Sequence, residues 1–216
     1  YLTAIKINPK LAEAHLNLGN VLSDTGKFKE AELSYLTAIK INPKLAEAHL
    51  NLGNVLSGIG KSEEAFESYI KAIEINPRSP TFYNSISNFL KDSDPSQLNK
   101  SKLIYILNIL LEKNDISHKE LFKVFNFIYI NQINSKSKHI NSDIFTLELF
   151  SQNKTVLNAL KKIIFIDIEL EKILTKLRQN ICKRIAKNHK ILKDYELQFI
   201  ISLAEQCFLN EYIYAY

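Results

Sequence analysis

Residues 1–34 read YLTAIKINPKLAEAHLNLGNVLSDTGKFKEAELS, and residues 35–68 read YLTAIKINPKLAEAHLNLGNVLSGIGKSEEAFES. The two stretches are identical at 28 of 34 positions and differ only at Asp24/Gly58, Thr25/Ile59, Phe28/Ser62, Lys29/Glu63, Glu32/Phe66 and Leu33/Glu67. A third copy opens at Tyr69 with YIKAIEINP and then diverges. Positions 15, 18 and 22 recur at helical spacing and form the expected buried stripe of a first helix. Gly19 and Ala31 are small where two helices of one copy should cross closely. Gly26 sits between the helices and can adopt a left-handed turn. Pro43 cannot continue the second helix and biases Asn42 out of helical geometry. A single hairpin of this kind cannot bury its apolar face alone, so neighbouring copies must stack into a superhelix.

Read from Ala12, one unit gives His15-x2-Leu18-Gly19-x2-Leu22, then Ala31-x3-Tyr35, Ala38 and Pro43. The next gives His49, Leu52, Gly53, Leu56, Ala65, Tyr69, Ala72 and Pro77 at the same steps. Period and small-residue positions closely resemble the tetratricopeptide repeat family, with His at the usual Trp position and Leu at the usual first Tyr. His15 and His49 therefore read as packing residues at the aromatic position, with no metal or catalytic role. The third unit keeps Tyr83, Ile86 and Leu90 but carries Ser87 where Gly is expected. A two-residue insertion within 91–100 would bring Ser101-x3-Tyr105 into the Ala-x3-aromatic register. The chain is thus expected to be all-α. Tetratricopeptide hairpins over 1–79 (the first truncated) precede a degenerate or capping repeat over 80–114 and a helical, bundle-like region over 115–216.

Composition supports helices and little else. The 216 residues hold only five Gly and five Pro, too few turn formers for a β-sandwich or barrel. With 46% apolar and 24% charged residues, the chain has a globular composition and not a disordered one. No Met occurs anywhere, and the expectation is an internal fragment of a larger protein. The net charge of +5 is uneven: residues 1–95 carry 10 basic and 11 acidic side chains, and residues 96–216 carry 18 and 12. Cys182 and Cys207 show neither CxxC nor disulfide-framework spacing, which is the pattern of reduced cytoplasmic thiols. No apolar run is long enough to span a membrane.

In the second half, Ser117-x-x-Glu120 is a capping-box pattern predicted to open a helix through about Ile133. The polar stretch 134–142 reads as a loop. Further helices are expected over 143–151, 155–166, 168–189 and 195–214, the last capped by Asp194. Eight basic residues and no acidic one lie between Lys172 and Lys193. Lys172, Lys176, Lys183, Lys187 and Lys190 share one stripe, opposite Leu174, Leu177, Ile181 and Ile185. Such a face suits phosphate binding, and equally a solvated face of a packed helix. His118, His139 and His189 share no ligand spacing.

Three short pieces, Glu169–Leu170–Glu171, Leu174–Thr175–Lys176–Leu177–Arg178 and Gln206–Cys207–Phe208–Leu209–Asn210–Glu211–Tyr212, carry a second resemblance. They are similar to a helical region of bacterial proteins in which tetratricopeptide repeats precede a class I S-adenosylmethionine-dependent methyltransferase domain. That resemblance places the catalytic sheet and the S-adenosylmethionine loop after this region. It implies no catalytic residue, metal or cofactor within the present 216 residues. The unit AEAHLNLGNVL also resembles the repeats that precede the catalytic domain of O-GlcNAc transferases. The expected function is a scaffold binding a protein or extended peptide in the concave groove of the array. The alternatives are the repeat region of such a glycosyltransferase and a basic helical nucleic-acid-binding module. Because positions 15, 18 and 22 face the stack, Asn17, Asn20, Asn51 and Asn54 are expected to line the groove, with Glu13 and Glu47 adding a preference for basic peptides. An Asn side chain offers both donor and acceptor to a peptide backbone.

Overall fold

Each repeat enters its first helix through the same Asn-Pro turn. The Asn8, Asn42 and Asn76 Oδ1 atoms accept from the backbone N–H of Lys10, Lys44 and Arg78 at 3.1, 3.1 and 3.3 Å. These are Asx turns, which the short amide side chain makes readily. Six residues past each proline an aromatic side chain reaches back to the proline carbonyl. His15 and His49 Nε2 lie 3.0 and 3.2 Å from the Pro9 and Pro43 oxygens. Tyr83 donates its hydroxyl to Pro77 at 2.7 Å. None of these first helices has a side-chain N-cap bond. The aromatic-to-proline bond takes over the task of fixing the chain's entry angle.

The computed structural model describes residues 1–114, 116–137, 153–163, 171–172, 174–175, 178–179, 183 and 197–205. The chain divides into two compact units, Tyr1–Asn99 and Lys100–Tyr216. The first holds α1 (Leu2–Ile7), α2 (Ala12–Asp24), α3 (Phe28–Ile41), α4 (Ala46–Gly58), α5 (Ser62–Ile75) and α6 (Pro80–Asp92). A single 3-10 turn follows at Pro95–Gln97. Helices α2 and α3 form one hairpin, α4 and α5 the next, and α4 also packs on α3. Gly26 and Gly60 turn the two hairpins with φ of 75° and 81°, the left-handed region that glycine enters without a Cβ penalty.

Close approach within each hairpin depends on Gly19 and Gly53. A Cβ built on Gly19 would stand 2.5 Å from the Tyr35 ring, and one on Gly53 would stand 2.9 Å from the Tyr69 ring. Ala31, Ala38, Ala65 and Ala72 are fully buried along the same crossing. The expected stripe is present but graded. Leu52 and Leu56 are buried, whereas Leu18 and Leu22 are only half-buried. Val21 is 47% exposed and its counterpart Val55 only 2%. The sequences are alike, so the difference is one of neighbours: α4 packs on both α3 and α5 and touches α6, whereas α2 packs closely on α3 and meets in α1 a helix with no buried residue.

The differences between the copies follow the same logic. Glu32, in the outer hairpin, bonds the Lys61 ammonium at 2.6 Å. Its counterpart Phe66 is fully buried and stacks on Phe89 of α6 with ring centroids 6.1 Å apart. Tyr69 meets the same Phe89 ring at 5.3 Å.

The second unit contains α7 (Lys100–Glu112), α8 (Phe122–Ser137) and α9 (Lys154–Lys162). Leu103, Ile106, Leu107, Leu110 and Leu111 of α7 are fully buried, and α9 packs on it. Ser101 and Tyr105 are exposed, whereas Ala31 and Tyr35 are buried, so the Ala-x3-aromatic register does not continue into α7. Ser117 precedes a 3-10 turn, His118–Leu121, and makes no side-chain cap bond; the α-helix proper starts at Phe122. Residues 134–137, expected in a loop, complete α8. Helix α9 ends at Lys162, short of the expected 166, and is capped by Asn153, whose Oδ1 accepts from the Thr155 and Val156 N–H groups at 3.0 and 3.2 Å. The helix expected over 143–151, the Asp194 cap, Cys182, Cys207, His139 and His189 lie outside the described residues. So do Lys176, Lys187 and Lys190 of the basic stripe, and most of the three pieces of the second resemblance. All described elements are helical, and among the described residues no helix is long and apolar enough to cross a membrane.

Burial holds the His49 imidazole below its ordinary pKa, with Lys71 acting in the same direction. Protonation therefore favours the unfolded chain. The contribution of His49 is complete above about pH 6.5 and is lost as pH falls through that value toward the folded pKa. His49→Tyr, which copies the bond made by Tyr83, should reduce the acid-side fall in the urea midpoint followed by circular dichroism. Gly53→Ala should lower that midpoint, destabilising by about 1–3 kcal/mol because the tyrosine ring has nowhere to move. Gly58→Ala, with nothing within 4 Å of its Cβ, should leave stability unchanged or raise it by up to about 1 kcal/mol.

Candidate functional site

The first helices of successive units, α2, α4 and α6, border one open groove of about 730 Å³ within the first unit. Glu13, Leu16 and Asn17 come from α2, and Glu47, Leu50 and Asn51 hold the same places on α4. Thr81 and Phe82 close it from α6, with Ser79 and Asn76 leading in. Leu16, Leu50 and Phe82 are buried and make an apolar floor, while Glu13 and Glu47 are exposed at the helix starts.

Four of the six residues expected in the groove line it: Glu13, Asn17, Glu47 and Asn51. Asn20 and Asn54, one helical turn on, face the hairpin crossing instead. Tyr35 donates its hydroxyl to Asn20 Oδ1 at 2.9 Å, and Tyr69 donates to Asn54 Oδ1 at 2.8 Å. Asn20 Oδ1 also accepts from Asn51 Nδ2 at 2.9 Å, which ties α2 directly to α4. Burial pushes both phenols up to about 12, with Asp24 adding to the effect at Tyr35. Both tyrosines thus stay neutral donors throughout the physiological range.

The polar atoms of the four asparagine and two glutamate side chains fall into two sets. Asn20, Asn54 and the Asn51 amide nitrogen are committed to internal bonds. Glu13, Glu47, Asn17 and the Asn51 carbonyl oxygen make no bond or ion pair within the described residues. A buried phenol needs a partner, and Asn20–Tyr35 and Asn54–Tyr69 share a spacing of 15 residues. That spacing was the available signal for the internal role. Leu16 and Leu50, the groove floor, lie outside the 15/18/22 stripe.

Elsewhere, burial and the Lys162 charge hold the His118 imidazole below its ordinary pKa in the second unit. Among the described residues no group of His, Cys, Asp and Glu is placed to hold a metal ion.

Family comparison agrees with this geometry. A family model described as TPR repeat matches residues 19–60, and two tetratricopeptide repeat models match residues 46–79 and 1–32. Together the matches cover residues 1–79. Among solved structures, the chain is similar to YrrB, described as a TPR protein with an unusual peptide-binding site. The identity is 16% and the TM-score 0.44, over 100% of this chain and 97% of that one. It is also similar to TTC0263, a thermophilic TPR protein of Thermus thermophilus, at 18% identity and TM-score 0.37 over 89% and 99% of the two chains. Neither likeness is close enough to bear on function. No curated protein matches the chain, and no comparison supports the methyltransferase resemblance of residues 151–216.

The two sets of asparagines should separate in a stability measurement. Asn20→Ala removes one partner of the Tyr35 hydroxyl, leaving it Ser23, and strands the Asn51 amide, and is expected to destabilise by about 1–3 kcal/mol in denaturant unfolding. Asn17→Ala should stay within about 0.5 kcal/mol of the parent.

Proposed function

We propose that the first unit is a docking scaffold that holds an extended segment of a partner protein in the groove across α2, α4 and α6. The observation that carries this reading is the uncommitted polar chemistry over an apolar floor: Asn17 and the Asn51 carbonyl oxygen are unbonded beside Leu16, Leu50 and Phe82. An extended backbone offers N–H and C=O groups that these amides can pair, and its side chains can cover the leucines. Affinity then comes mainly from backbone pairing and apolar contact, as in other modes of extended-peptide recognition. No chemistry is assigned to this unit; its role is to hold.

The test uses the full chain, immobilised, to select from a library of random-sequence peptides. Retained peptides should bind Asn17→Ala/Asn51→Ala more weakly by about 1–3 kcal/mol. Because Asn51→Ala also removes a bond to Asn20, the variant's helical content and midpoint are measured alongside. Unchanged affinity in a folded variant would exclude the amides from the contact.

A further inference from the structure

We infer that the groove selects segments carrying two Lys or Arg side chains three residues apart, read by Glu13 and Glu47. This rests on the proposed docking function and adds the chemistry of the ligand. Glu13 and Glu47 are the only charged residues lining the groove, and neither has an ion-pair or hydrogen-bond partner among the described residues. Of the other acids in the array, Glu32 is paired with Lys61 at 2.6 Å and Glu74 with Lys71 at 3.0 Å, and Asp24, Glu30 and Glu64, unpaired among the described residues, lie outside the groove lining. The cations nearest in sequence, Lys10, Lys44 and Arg78, belong to the turns ahead of the helices and lie outside the lining. Both carboxylates also stand in the first turn of their helices. There the helix N-terminus favours them but supplies no counter-charge.

Spacing follows from the repeat. Glu13 and Glu47 occupy the same position on α2 and α4, which pack side by side and are bonded through Asn20 and Asn51. Packed helix axes lie about 8–10 Å apart. A segment in the polyproline II conformation rises about 3.1 Å per residue and brings its side chain back to the same face every third residue, after about 9 Å. A flat β-strand alternates faces, so its i+3 side chain points away and its same-face neighbour at i+2 is only about 7 Å off. Basic side chains at i and i+3 of a polyproline II segment therefore match the two carboxylates, while its backbone lies along Asn17 and Asn51. At α6 the pattern stops, because Thr81 stands where Glu13 and Glu47 stand. Two cations are the full complement.

The same random-sequence peptide library is selected on the full chain and on Glu13→Gln/Glu47→Gln, whose exposed isosteric changes break no internal bond. Expected is enrichment of Lys or Arg at i and i+3 on the parent, lost on the variant. Individual parent-selected peptides should bind the variant roughly 2- to 30-fold more weakly, as for two exposed ion pairs, and should weaken with added salt. Peptides retained without basic enrichment, or bound equally by the variant, would overturn the charge selection and leave the groove reading standing. If no peptide is retained above an uncoated surface, both fall.

Discussion

The array depends on one contact, a tyrosine ring lying where a glycine leaves no Cβ. Tyr35 over Gly19 and Tyr69 over Gly53 set the distance between the two helices of each hairpin. Ring and glycine are complementary: the ring buries apolar surface only because the backbone opposite is bare, and the bare backbone is covered only by a flat side chain. The phenol then imposes a second requirement. Its hydroxyl is carried into the crossing, where an unpaired donor would be costly, and Asn20 or Asn54 satisfies it. In the outer hairpin the same Asn20 oxygen also accepts the Asn51 amide, so the bond that completes one hairpin also joins it to the next.

That chain of dependence explains which parts of the molecule were legible in sequence. Gly19, Ala31 and Tyr35 announce a close crossing by size alone, and the repeat of the same sizes 34 residues later confirms it. The Asn-Pro turns and Gly26 are equally local, since each acts through its own backbone preference. Asn17 and Asn20 were not separable this way. They differ by one helical turn, carry the same side chain and recur together, and only the position of the tyrosine hydroxyl assigns one to the groove and the other to the crossing. His15 and His49 were legible as occupants of the aromatic position but not as partners of Pro9 and Pro43. That bond depends on how the turn folds back over the helix.

The second unit was harder to read for a related reason. In the first, every residue has a counterpart one period away, so a misassigned position contradicts its own copy. Residues 100–137 have no counterpart. The Ser101–Tyr105 spacing matched the repeat by composition, while the leucines and isoleucines at 103, 106, 107, 110 and 111 set a different buried face. A continuous apolar face outweighs two residues of motif, because each buried Leu or Ile contributes about 1.5–3 kcal/mol. Likewise Ser117 opens a 3-10 turn without bonding it, since a capping pattern states what a side chain can do and not which turn the backbone takes.

Near-identity of the first two units carries a consequence for the groove as a whole. A surface built from copies offers a ligand the same chemistry at regular steps, here Glu13, Leu16 and Asn17, then Glu47, Leu50 and Asn51. The third helix ends that series at every position. Thr81 follows the glutamates, Phe82 takes the place of Ala14 and Ala48, Asn84 that of the two leucines, and Ser85 that of Asn17 and Asn51. Phe82 is buried where the two alanines are also buried, so a larger ring now fills a position that was minimal in the first two units. Divergence in the third unit runs along the whole of α6, where only Asn88 and Leu90 repeat the residues of both earlier copies. Tyr83, Ile86 and Leu90 are nevertheless buried at the positions of His49, Leu52 and Leu56. The fold is propagated through α6 while the repeating groove chemistry stops after α4, which limits a bound segment's periodic contacts to two steps of the array.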